Sequence, residues 1–190
     1  SKVDIKVKDQ MQEPYFISVG SLNPHKNYTR LIQAFKEVNS NFKLIIIGRD
    51  TNNYSMILSK WIIDNNLKER VSIRSNISND ELSFLYKHSY ALILPSLYEG
   101  FGIPLIEGIY YNKDILCSDI KIFNEIGSDF VLYFNPYEIK DITNKINNFI
   151  STNIKTKNTE LREEILARFT WINSAKRLSS AINKILMKLC

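Results

Sequence analysis

Short apolar runs rich in Ile, Leu, Val and aromatic residues recur along the chain, each followed by a stretch with helical spacing. This alternation constrains the fold more than any other feature. Tyr15–Val19, Lys43–Ile47, Val71–Ile73, Ala91–Leu94, Ile115–Cys117 and Val131–Phe134 read as strands. Between them, Asn27–Val38, Tyr54–Asn65, Asp80–His88, Ile103–Tyr111 and Ile122–Ile126 read as helices. Leu31, Ala34, Phe35 and Val38 give the i, i+3, i+4, i+7 stripe of a helix with one buried face. Strands that are apolar along their whole length belong in a parallel sheet covered on both faces. The expected fold class is therefore α/β: a Rossmann-like doubly wound parallel sheet of about six strands. Right-handed crossovers place its ligand crevice at the carboxyl ends of the strands.

After Pro136 the pattern becomes helical, over Glu138–Ile150, Thr159–Phe169 and Trp171–Leu189, with Thr152–Asn158 as a loop. The 190 residues read as one domain: 1–13 a polar linker, 14–136 the α/β core, 137–190 a helical C-terminal part. Those last helices are expected to pack on the sheet edge or on something beyond this chain. Hydrophobic content of 44% and charged content of 24% suit a soluble globular domain. A net charge of +5 with scattered lysines argues against nucleic acid and suits an anionic ligand or membrane surface. Cys117 and Cys190 show neither disulfide nor zinc spacing, so a reducing compartment is expected. No apolar stretch reaches the roughly 20 residues of a membrane-spanning helix.

The chemistry should lie in the strand-to-helix loops. The first runs from Gly20 and Ser21 through His25 and Lys26 to Asn27. Lys26 at a helix start opposes the helix dipole, which makes sense if an anion binds between them. Standing alone it would read as a solvated lysine. In the second loop Gly48 marks close backbone approach, and Arg49 and Asp50 are expected to pair at the surface. The third, Arg74 to Asp80, offers backbone around Asn76 and Ile77 to a base edge, with Ser78 or Asn79 capping the next helix ahead of Glu81. The fourth, Pro95 to Gly108, sets Glu99 and Glu107 on either side of a Gly100-Phe101-Gly102 turn. Its backbone N–H groups and the following helix N-terminus form an anion cradle. Glu107 sits among Leu105, Ile106, Gly108 and Ile109, so it needs a bound hydroxyl donor or an internal cation. Anion donors between two carboxylates suit a ligand with phosphates in its middle and hydroxyls at both ends, such as a nucleotide sugar.

Taken together, SVGSLNPHKN, LIQAF, KLIIIG, VSIRSNISNDEL, LILPSLYEGFGIPLIE, SDIKIFNEIG, LYFNP and Phe169-Thr170-Trp171 resemble the C-terminal, donor-binding domain of family 4 glycosyltransferases, one half of the GT-B fold. That resemblance implies a retaining, metal-independent glycosyltransferase with no cofactor beyond its UDP- or GDP-sugar substrate. Lys26 and Glu99 would be catalytic: Lys26 on the leaving diphosphate, Glu99 on the donor sugar. Gly20, Ser21, Asn27, Gly48, Asn76, Ile77, Ser96, Gly100, Phe101, Gly102, Ile103, Pro104 and Glu107 would complete the donor site, with Glu107 on the ribose. The acceptor, a glycan or lipid-linked glycan of a bacterial surface polysaccharide such as O-antigen or capsule, would bind an N-terminal domain absent from this chain. Location would be cytoplasmic, with peripheral attachment to the inner face of the membrane left open. Ser21 replaces an arginine common in the family, with Arg49 or Arg74 as substitutes, and Tyr110-Tyr111-Asn112 replaces small residues, with Asn112 suited to a left-handed helix end. The tyrosines there are expected to face the absent half. The alternatives are a non-catalytic nucleotide-binding module, a subunit acting only with a partner chain and, less favoured, a GT-B sugar epimerase.

Overall fold

The computed structural model describes residues 13–152 and 159–189. Within them lie β1 (Tyr15–Val19), α1 (Tyr28–Lys36), β2 (Lys43–Ile47), α2 (Tyr54–Asp64), β3 (Val71–Arg74), α3 (Asn79–His88) and β4 (Ala91–Leu94). There follow α4 (Ile103–Tyr110), β5 (Asp114–Ser118), α5 (Lys121–Gly127), β6 (Leu132–Phe134), α6 (Ile139–Thr152), α7 (Thr159–Arg168) and α8 (Trp171–Leu189). All strand pairings are parallel, in the order β3-β2-β1-β4-β5-β6.

Alternation along each strand explains the two cores. Phe16, Leu44, Ile46, Ala91, Ile93 and Leu116 face one cluster, which α1, α2 and α6 cover through Leu31, Phe35, Leu58, Ile142 and Ile146. Ile17, Ile45, Ile47, Leu92, Leu94, Ile115 and Cys117 face the other, covered by Leu85, Leu105, Phe123 and Ile165 from α3, α4, α5 and α7. Burial of each such side chain contributes roughly 1.5–3 kcal/mol.

Helix ends differ from expectation for local reasons. Asn27 is left-handed (φ 60°), so α1 starts after it rather than at it. Its C-terminus stops at Lys36, two residues early, where Glu37 caps it. Thr152 belongs to α6 rather than to a loop, its hydroxyl bonding Asn148 O at 2.6 Å. The rest of that expected loop, residues 1–12 of the expected linker, and Cys190 lie outside the described residues.

The C-terminal helices divide in their packing. α6 lies on α1, where the Thr143 hydroxyl donates to Ala34 O at 3.1 Å. α7 lies on α4, where Arg162 donates to Ile109 O and Tyr110 O at 2.9 and 2.6 Å. In contrast, α8 leaves large apolar side chains bare, with Trp171, Leu178 and Ile185 all exposed.

Candidate functional site

The strand order reverses between β1 and β4, and a doubly wound sheet binds its ligands at such a switch point. Here the loops leaving β1 and β4 are fastened together. Leu97 N–H donates to His25 O at 2.8 Å, and the rings of His25 and Tyr98 stack with centroids 4.7 Å apart. The short helical turn Pro24–Lys26 then delivers Lys26 to Glu99: Nζ lies 2.6 Å from Oε1, with each side chain 10% exposed. Ser96, itself buried, donates its hydroxyl to the same Oε1 at 2.7 Å. Two donors on one oxygen leave Oε2 to accept from a ligand.

The sequence alone gives Lys26 and Glu99 separate partners and does not reveal this ion pair. Its reason is burial, which only the fold reveals: Lys26 is 8% exposed, and a buried ammonium needs a carboxylate. The burial rule that singles out Glu107 holds for Lys26 as well.

Asn27 ties three loops together, those after β1, β4 and β6. Its side chain, 2% exposed, donates to Pro95 O at 3.0 Å and Pro136 O at 2.8 Å. Gly48 approaches backbone closely, as expected, and that backbone is Gly20's. A Cβ there would lie 1.9 Å from Gly20 O. This contact accompanies the bonds Gly20 N–H to Ile47 O and Leu22 N–H to Arg49 O, at 3.0 and 2.9 Å.

On the other wall, Gly102 adopts φ 77°, a left-handed conformation that only glycine takes without strain, and starts α4. Leu105 and Ile106 N–H groups close on Gly102 O, and Pro104 has none, so Gly102 and Ile103 supply the turn's outward donors. Gly100 is exposed, with nothing within 4 Å of where its Cβ would stand, so packing does not require glycine there.

Glu107 has a partner that the sequence does not suggest. The Tyr86 hydroxyl donates to Oε2 at 2.8 Å, so one carboxylate oxygen is satisfied within the protein. Tyr86 is fully buried and stacks on Tyr111 at 4.9 Å, 11° from parallel. Tyr111 therefore turns inward instead of facing outward, while Tyr110 stays exposed and Asn112 takes the left-handed φ of 54°. Burial pushes the Glu107 carboxyl above its ordinary range, and the Tyr86 hydrogen bond offsets part of that rise. Its second oxygen, like that of Glu99, is left for a ligand.

One cavity of about 370 Å³ brings together Gly20, Ser21, Lys26, Glu99, Phe101, Gly102, Ile103, Pro104 and Glu107, adding Val19 and Leu82. Asn76 and Ile77 lie outside it: Asn76 is exposed at φ 55°, and Ile77 packs against the second core. Ser78 is the α3 cap, accepting from Glu81 N–H at 3.1 Å. Arg74 pairs with Glu81 at 3.2 Å and does not line this cavity. Asp50 does not pair with Arg49. It caps α2 through the N–H groups of Tyr54 and Ser55 and the Ser55 hydroxyl, whose hydrogen bond holds its carboxyl below the ordinary range. Among the described residues no group of three or more His, Cys, Asp or Glu could hold a metal ion.

A parallel six-stranded sheet covered by helices on both faces, with a cleft at its switch point, is the Rossmann-like fold of a GT-B domain. The chain belongs to the family described as glycosyl transferases group 1, whose model matches residues 2–165. It is 37% identical over 142 residues to the O-antigen chain mannosyltransferase RfbU of Salmonella typhimurium, covering 75% of this chain and 40% of that protein. It is 32% identical over 168 residues to a serotype-specific mannosyltransferase of Escherichia coli, covering 87% of this chain and 20% of that one. Among solved structures, sucrose-phosphate synthase from Thermosynechococcus elongatus matches with a TM-score of 0.82 at 19% identity, over 98% of this chain and 49% of that one. Anabaena HepE in complex with UDP and glucose matches at 0.79 and 18% identity, over 96% and 52%. These two likenesses establish the fold. The chain spans less than half the length of either curated relative.

Proposed function

We propose that the cleft binds a nucleoside-diphosphate sugar as the donor of a glycosyl transfer, and that this chain is the donor half of the enzyme. The Lys26–Glu99 pair carries the reading. It puts one fixed positive charge and one free carboxylate oxygen beside the N–H groups of Gly102 and Ile103. The diphosphate lies against Lys26 and the turn, the donor sugar's hydroxyls reach Glu99 Oε2, and the ribose hydroxyls reach Glu107 Oε1. The bond from the anomeric carbon to the diphosphate oxygen breaks, and its electron pair leaves with the diphosphate, where Lys26 stabilises the developing charge. The acceptor hydroxyl oxygen bonds the same carbon and loses its proton to the departing diphosphate. Configuration is retained and no divalent cation takes part.

The two named mannosyltransferases favour mannose as the sugar and an O-antigen glycan or its lipid-linked form as acceptor. A further domain supplies most of the acceptor site. Any attachment to the membrane is peripheral, on the cytoplasmic face where nucleotide sugars are available; no helix among the described residues is long and apolar enough to cross it. Calorimetric titration with UDP, GDP and ADP, then their sugars, tests the donor reading. One diphosphate should bind at least tenfold more tightly than its nucleoside. Equal affinity for nucleoside and diphosphate would sink the proposal. Proton NMR of the product made by the full-length enzyme checks the anomeric outcome.

A further inference from the structure

Glu99 lines two cavities. Besides the donor cleft it borders a second cavity of about 450 Å³, bounded also by Tyr98, Ile120, Lys121, Ile122 and Glu125. That size falls in the roughly 300–1,000 Å³ range of small-molecule sites. We propose that it is a saccharide subsite, holding a pyranose ring of the acceptor against Tyr98; calling that sugar the acceptor rests on the donor reading of the neighbouring cleft.

Tyr98 is 65% exposed and contributes to neither core, yet it is held in place. Its ring stacks on His25 within 21° of parallel, and the Leu97 N–H to His25 O bond fixes the backbone beside it. One face of the ring is thus occupied and the other presented. An aromatic face is electron-rich, and a pyranose offers it a patch of weakly positive C–H groups. Ile120 and Ile122 supply further apolar surface, while Glu125 and Lys121 supply hydrogen-bonding groups. Carboxylates accept strongly from hydroxyls. With Glu99 already paired to Lys26, Glu125 and Lys121 leave the cavity without net charge, which suits a neutral polyhydroxylated ring better than an anion such as a second diphosphate. The position fits as well, because a ring on Tyr98 lies one residue from the carboxylate assigned to the donor sugar.

Saturation-transfer NMR on the purified protein tests this with methyl α-D-mannopyranoside and methyl β-D-galactopyranoside, against the acyclic alditol D-mannitol. Transfer to ring protons is expected for at least one pyranoside and not for mannitol. Tyr98→Ala should reduce it at least fivefold and Tyr98→Phe should keep it. UDP and GDP should not displace it. Absence of a pyranoside signal, survival of the signal in Tyr98→Ala, or displacement by nucleotide overturns the proposal. Tyr98-dependent pyranoside binding in a protein that binds no nucleotide would instead sink the donor reading and leave a saccharide site standing.

Discussion

Lys26 Nζ and Glu99 Oε1 lie 2.6 Å apart across the join between the β1 and β4 loops, one residue beyond the stacked pair His25 and Tyr98. The two loops are thus matched in register, stack to stack and charge to charge. The ion pair fixes the lysine without using up the carboxylate, because Ser96 shares the same oxygen.

Replacing Lys26 with Ala removes the charge assigned to the diphosphate. A charge-assisted hydrogen bond is worth about 1.5–3 kcal/mol, so diphosphate affinity should fall roughly ten- to hundredfold. Nucleoside affinity should stay within about twofold. Calorimetry separates these outcomes, and parallel losses for both ligands would remove Lys26 from the phosphate.

Glu107 makes binding and stability respond to pH in opposite directions. Burial raises its pKa above the usual carboxylate range. Nucleotide affinity should be full above that raised value and fall as pH drops through it, because the carboxylate accepts ribose hydroxyls better than the acid does. For folding, the native state keeps the proton to higher pH than the unfolded chain. Stability therefore declines as pH rises from the ordinary carboxylate pKa to the raised one. Glu107→Gln should flatten both dependences in calorimetry and thermal melts.

Tyr86→Phe deletes the hydroxyl that donates to Glu107. Because that hydrogen bond lowers the Glu107 pKa, its loss should move the binding midpoint to higher pH. The discrimination between a ribonucleotide and its 2′,3′-dideoxy analogue should shrink as well. An unchanged ratio would leave Tyr86 with a packing role only.

Asn27→Ala separates a structural residue from a ligand contact. It leaves Pro95 O and Pro136 O without their donor and places alanine at a left-handed φ of 60°. Stability should drop by about 2–6 kcal/mol, since each of the two stranded buried acceptors costs about 1–3 kcal/mol. Chemical denaturation measures this. A normal midpoint with lost nucleotide binding would place Asn27 in the donor site.

Gly48→Ala drives a methyl group to within 1.9 Å of Gly20 O. Overpacking against backbone costs about 1–3 kcal/mol or more, and the melting temperature should fall roughly 5–10 °C. A melting temperature equal to that of the unmutated protein would show that the two loops separate more freely than this contact implies.

The sheet is legible because its central strands are largely apolar runs, and burial on both faces leaves that mark in sequence; edge strand β3, Val71–Arg74, carries it only in part. Lys26, Glu99 and Glu107 were readable as candidates because charges in apolar or dipole-opposed settings need a reason. Their partners were not. Tyr86 is 21 residues from Glu107 and reads only as an aromatic on a helix, and Ser96 reads as a loop serine. Asn27 and Gly48 stand out for their loops, but sequence cannot say whether a buried amide or a bare Cα faces a ligand or another strand of backbone. Asp50 was misread because its helix-capping role depends on where α2 begins, four residues on.

The chain order of the sheet also sets a sequence of events. Lys26 and Glu99 are 73 residues apart, and Asn27 reaches Pro136 across 109. β1, β2 and β3 pair as consecutive units, whereas β4 must return past both to reach β1. A polypeptide emerging from the ribosome therefore carries its buried lysine, without its carboxylate, through the synthesis of two whole strand–helix units. Contacts of such separation slow folding. The cleft is thus a checkpoint on completion: a product truncated before β6 lacks both its full sheet and one of the two carbonyls that lock Asn27.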